Sequence, residues 1–219
     1  ETDDLPDSLF EVGAWQESIV RTMASFIQAH GVERTNASER EKLALDLFSG
    51  LLQAARSHRE KLEALDLPSA GLSPDDWLCV VGVDAETRVR LKIDSHYNKP
   101  LFDLTSDDRC NDWDEAEPDR QFLTGDGTVP LLGAEPGFLE RSNLVCVKPG
   151  DFGYWELKDK ALAGPSGFHG MLPNLNLAHR LIVSHFKGKA TKGTWGRSSP
   201  TIAEDGWKPA IASLRRKGH

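Results

Sequence analysis

Thr124-Gly125-Asp126-Gly127-Thr128-Val129-Pro130 sets an acid on a tight, glycine-rich turn, and Phe168-His169-Gly170-Met171-Leu172-Pro173-Asn174 sets a lone histidine in a loop before a helix, 43 residues after that acid. Glycines on both sides of Asp126 let the chain turn sharply around it. An Asp-Gly pair alone is an ordinary turn. The full Gly-Asp-Gly-Thr-Val-Pro string points instead to a carboxylate held for chemistry, with Thr128 and nearby backbone amides available to hold it. Such an acid accepts a hydrogen bond from a histidine, fixes its tautomer and stabilises the imidazolium. His169 lies between Gly167 and Gly170, so its backbone is free to aim the ring at a cleft. Acid then histidine is one of the chain orders in which Ser-Asp-His triads occur. The serine is missing: no G-x-S-x-G occurs anywhere in the 219 residues.

The other histidines and serines are weaker candidates. His30 and His58 fall on helical stretches, His179 and His185 on the last helix, and His219 is terminal. His96, in Asp94-Ser95-His96-Tyr97, has polar neighbours and no turn signature. Ser166, in Gly164-Pro165-Ser166-Gly167, matches an elbow only superficially. It is three residues from His169 in the same loop, and no strand leads into it. Ser95 is weaker still.

Working outward, residues 14–30 read as an amphipathic helix, with Trp15, Ile19, Val20, Met23, Phe26 and Ile27 at spacings of three and four. A capping box, Ser38 as N-cap and Glu41 three positions on, opens a second helix that runs to about Leu65. Its apolar face is Leu43, Leu47, Phe48, Leu51, Leu52, Ala55 and Leu62. Pro68, Gly71 and Pro74 close that segment. Trp77 to Val83 is a continuous apolar run, as in a buried strand of a parallel sheet. Val89, Leu91 and Ile93 alternate with polar residues as in a half-exposed strand, and 94–120 is a polar excursion. Leu144-Val145-Cys146-Val147 is a second buried strand, 149–168 a Gly- and aromatic-rich loop, and 173–186 a helix. The expected division is a helical cap at 1–74, an α/β core at 75–186 and a basic C-terminal tail at 187–219. Two buried strands fall short of the roughly five or six of an ordinary sheet, so further strands are expected from residues upstream of residue 1.

Charge is unevenly placed. Residues 187–219 carry eight basic and two acidic groups, a net +6, which leaves −14 for the other 186 residues. Such a segment packs on its own acidic domain, or binds phosphates, anionic lipid or an acidic partner. It is thus compatible with peripheral membrane contact. Nothing in the pattern points to nucleic acid. Asp103, Asp107, Asp108, Asp112, Asp114, Glu115, Glu117 and Asp119 crowd one stretch. Clustered carboxylates can bind Ca²⁺, but the EF-hand glycine is missing, so a solvated acidic loop is expected and no metal or cofactor is called for. Cys79, Cys110 and Cys146 form neither a disulfide framework nor a C-x-x-C pair; Cys79 and Cys146 sit in apolar runs as buried free thiols. The longest apolar run falls far below the roughly 18–20 residues needed to span a bilayer, and no signal-peptide pattern follows Glu1. A soluble chain is expected, of unassigned compartment.

At these motifs the chain resembles the lecithin–cholesterol acyltransferase-like branch of the α/β-hydrolases, with its related lysosomal phospholipases and bacterial lipases. Leu5-Pro6-Asp7-Ser8-Leu9-Phe10-Glu11-Val12-Gly13-Ala14-Trp15 looks like the segment where a Leu-Pro precedes a Trp opening a cap helix. Gly125 to Pro130 looks like the family's acid motif and Phe168 to Asn174 like its histidine motif. The resemblance implies the C-terminal part of an α/β-hydrolase fold with a helical cap insertion. It assigns Asp126 and His169 as catalytic, and it puts the serine nucleophile and oxyanion loop upstream of residue 1. The implied activity is ester hydrolysis or acyl transfer on lipid-like esters. The alternative is a non-catalytic module of the same scaffold, binding a partner through the helical cap and basic tail, with Asp126 and His169 as relics.

Overall fold

Apolar residues recurring every three and four positions wind Glu17–Ala29 into helix α1 and Ala37–Glu63 into helix α2. The computed structural model describes residues 9–96, 99–103, 108–153, 156, 167–203 and 205–218. It mixes helices with small sheets and divides into two units. One takes the chain up to Leu65 together with Leu91–Ser106; the other takes Asp66–Arg90 and Asp107–His219. The boundary expected after residue 74 therefore falls earlier, and a piece of the expected core returns to the first unit.

In the first unit, α1 and α2 pack on each other and bury Ala24, Ala44 and Phe48. The cap of α2 is Asn36, not Ser38. Its side chain accepts from Glu39 N at 3.2 Å, and its own backbone is still extended. Asn caps as well as Ser, and the residue that keeps the extended backbone takes the role. Strand β2 (Lys92–His96) pairs with strand β3 (Lys99–Asp103) as an antiparallel hairpin, so the polar excursion begins with regular structure. The buried Phe102 lies 4.6 Å from the Trp15 ring, and the Gln16 amide bonds its backbone O and N at 3.1 and 3.3 Å. Leu43, Leu47, Leu51 and Leu62 stay exposed, so only part of the expected α2 face is covered within this unit.

In the second unit, strand β1 (Val80–Gly82) and strand β4 (Val145–Val147) are parallel, with Val80, Val81 and Gly82 opposite Val145, Cys146 and Val147. Side chains alternate across the pair. Val145 and Val147 join one core cluster with Phe168, Leu175, Leu177, Leu181 and Ile211. Val81, Val83 and Cys146 join the other, with Trp113, Leu131 and Leu144. Leu131 opens the one-turn helix α3 (Leu131–Ala134). Both faces of the pair are thus covered, which is why the two runs are apolar throughout. Helix α4 (Phe168–Met171) and helix α5 (Asn176–Phe186) complete the first cluster.

Residues 187–218 do not form a tail. Arg197 bridges antiparallel to Cys146, and strand β5 (Trp195–Gly196) pairs in parallel with strand β6 (Arg215–Arg216). Thr194, Arg197, Ser198, Ser199 and Ile211 are buried. Part of the local positive charge is consumed internally: Arg197 pairs with Asp151, and Lys217 lies 4.1 Å over the Trp195 ring. Among the described residues no helix is long and apolar enough to cross a membrane.

Candidate active site

The acid turn is built against the end of β1. Ala85 N donates to Gly125 O at 3.1 Å, Asp126 N to Val129 O at 3.2 Å, and Leu131 N to Thr124 O at 2.8 Å. Gly125 is required by contact, because a Cβ there would lie 2.2 Å from Val129 O. Gly127 is required by its φ of +95°, which disfavours any side chain. The result is a closed turn whose successive amides point inward. Thr128 N and Val129 N donate to Asp126 Oδ1 at 3.0 and 2.7 Å. Thr128 thus holds the carboxylate through its backbone.

His169 arrives from the other side. It sits in the first turn of α4, where a loop was expected, and Phe168 anchors that turn in the core. His169 Nδ1 donates to Asp126 Oδ2 at 2.8 Å. The two residues expected to act together are therefore in direct contact, each oxygen of the acid serving a different partner. The Asp126 side chain is 9% exposed and the His169 side chain 49%. A carboxylate on Nδ1 selects the tautomer with the proton on that nitrogen. Nε2 is left as the nitrogen able to accept a proton.

A polar ring supports the turn at the C-terminal ends of β1 and β4. Thr124 Oγ1 donates to Asn111 Oδ1 at 2.8 Å and accepts from Asp84 N at 3.0 Å; Asn111 Nδ2 returns to Asp84 Oδ1 at 2.9 Å. Lys148 Nζ lies 3.2 Å from Asp84 Oδ2. Asp84 has a φ of +62°, a left-handed state that Asp adopts more readily than most non-glycine residues. Neither Asp84, Asn111 nor Lys148 was a site candidate in the sequence, and Thr124 entered only as the first residue of the acid motif. Their types are common at turns, and only the contact between the acid turn and the two strand ends singles them out.

The rival residues are placed elsewhere. His179 and His185 each bond a backbone carbonyl, Pro173 O at 2.7 Å and Ala210 O at 3.0 Å. Ser95 and His96 are on β2, in the first unit. Ser166 lies outside the described residues, as do the first eight residues and Asp107 of the acidic stretch. In that stretch Asp112 takes Arg120 in a two-pronged contact at 3.1 and 2.8 Å. Among the described residues no group of three His, Cys, Asp or Glu side chains is arranged to hold a metal ion. In comparisons with known proteins, no family model, no curated protein and no solved structure matches the chain.

Proposed function

We propose that this chain supplies the acid and the base of a serine ester hydrolase or acyltransferase, with the nucleophilic serine carried by polypeptide outside these 219 residues. The observation that carries this reading is the Asp126–His169 contact, in which one carboxylate oxygen is pinned by two amides and the other by the imidazole. That division lets Asp126 hold the ring in one tautomer without taking its proton. His169 then removes the serine proton as the hydroxyl attacks the ester carbonyl, and returns it to the leaving alcohol. Water or a second alcohol repeats the cycle on the acyl-serine. Lipid-like esters are the substrate class that the resemblance to the acyltransferase and lipase branch implies. These residues do not contain a G-x-S-x-G element, and the resemblance implies that it lies in upstream sequence.

The test is to produce residues 1–219 alone and together with the upstream portion, and to follow a chromogenic ester. Activity is expected only in the combined form, and His169→Ala is expected to cost roughly four or more powers of ten. Full activity of the isolated chain, or of the combined His169→Ala variant, overturns the reading. An upstream sequence without a serine elbow would favour the non-catalytic module.

A further inference from the structure

Beyond the residues that form the pair, one side chain decides how the acid turn spends its amides. The turn offers three successive N–H groups, at Gly127, Thr128 and Val129. Two go to Asp126 Oδ1. The third, Gly127 N, goes to Thr87 Oγ1 at 2.8 Å. Thr87 is fully buried. Its backbone is clamped on both sides by Cys110, with Thr87 N to Cys110 O at 3.0 Å and Cys110 N to Thr87 O at 2.9 Å. Its hydroxyl proton is already committed to Ala85 O at 2.8 Å, so Gly127 meets an oxygen lone pair and nothing else. A β-branched side chain has few χ1 choices, and this one is held against the site where a Gly125 Cβ would stand, 2.9 Å from both Cγ2 and Oγ1.

We propose that Thr87 is a positioning residue for the Asp126–His169 pair. By taking the Gly127 amide it keeps that amide off the carboxylate. A buried N–H without a partner is costly, and the carboxylate that already takes the next two amides of the turn is that of Asp126. Losing the Thr87 oxygen would draw a third amide toward Asp126 and rotate Oδ2 away from His169. Thr87 thus acts through the turn. The inference rests on the reading of Asp126 as the group that orients His169.

The experiment uses the full-length protein and reads the tautomer of neutral His169 by ¹⁵N NMR alongside ester hydrolysis. Four forms are compared: wild type, Asp126→Asn, Thr87→Val, which keeps the shape without the hydroxyl, and Thr87→Ser, which keeps the hydroxyl without the methyl. Asp126→Asn is expected to reduce the Nδ1–H tautomer. Thr87→Val is expected to reduce it too and to lower kcat by about tenfold to a hundredfold at unchanged KM. Thr87→Ser is expected to restore both. If Asp126→Asn leaves the tautomer unchanged, the acid–base reading itself fails. If Asp126→Asn shifts the tautomer and Thr87→Val does not, or if Thr87→Ser gives no rescue, the pair stands and the role of Thr87 is overturned. Should Thr87→Val not fold, Thr87→Cys replaces the oxygen with a weaker acceptor and is read in the same way.

Discussion

Gly82 carries the steric demand that joins β1 to both the acid and the base. It ends β1 opposite Val147, and a Cβ there would lie 2.5 Å from Asp126 Cβ and 3.1 Å from Phe168 Cε1. One methyl group would therefore displace both the acid and the anchor of the base. Gly82→Ala is expected to destabilise the protein by about 1–3 kcal/mol, the usual cost of overpacking. On the proposed function, ester hydrolysis in the presence of the upstream portion should fall by about a hundredfold or more, because a shift of this size misaligns the Asp126–His169 pair. Thermal unfolding and the ester assay together check both effects. Gly170, where a Cβ meets nothing within 4 Å, is the control, and Gly170→Ala should retain its stability. A Gly82→Ala protein with normal activity would separate β1 from the site.

Among the elements, the exit of β4 is tied to β5 by a buried ion pair. Asp151 ends the turn Pro149–Asp151 and accepts from Lys148 N at 2.9 Å. Arg197 donates to both Asp151 oxygens, at 2.5 and 2.9 Å, and to Gly218 O at 3.1 Å. The side chains are 2% and 1% exposed, so neither charge has water to fall back on. Removing the Asp151 charge leaves Arg197 buried without its counter-charge, whereas Asp151 also has Lys217 Nζ at 3.8 Å. Asp151→Asn is expected to cost about 3–5 kcal/mol in urea unfolding, whereas Arg197→Met with Asp151→Leu together should recover most of that loss. Equal losses in the single and the double variant would refute the argument from an uncompensated charge.

For the molecule as a whole, two thiols and one strand edge set expectations. Burial pushes the Cys146 thiol well above its ordinary 9.0, and burial together with the charge of Glu135 raises Cys79. Both shifts have one sign. The folded state keeps these two thiols protonated while in the unfolded chain they release protons above about pH 9. Stability is therefore full below that pH and lost as pH rises toward the folded values. The melting temperature should decline above about pH 9, and Cys146→Ala should flatten the decline while lowering the neutral-pH value through the cavity it leaves. A pH-independent melting curve across that range would contradict the burial argument. At the edge, Val83 N and Cys79 O face β4, through Val147 O and Val145 N. The alternation of a parallel ladder turns the amides of Val80 and Gly82 the other way. Among the described residues no strand pairs with that side of β1. When the upstream portion is added, hydrogen exchange at Val80 and Gly82 is expected to slow, while Val81 and Val83, already engaged with β4, should not change. Unaltered exchange at Val80 and Gly82 would rule out strand addition there.

The sequence by itself determined what depends on near neighbours in the chain. Periodicity yields α1, α2 and α5. Unbroken apolar runs yield β1 and β4, and Gly125 and Gly127 mark the sharp turn that presents Asp126. Motif order was enough to pair Asp126 with His169 across 43 residues. Tertiary structure decided the rest, because those choices compare groups far apart in the chain. The cap at Asn36 in place of Ser38 is the local exception, set by an extended backbone and the Glu39 amide three residues on. Residues 187–218 looked like a solvated basic tail. They became sheet and core because Asp151, 46 residues before Arg197, offers a buried counter-charge. Thr87, 40 residues from Gly127, carries no local mark at all. It matters only because folding brings its hydroxyl to the one amide of the turn that Asp126 does not take.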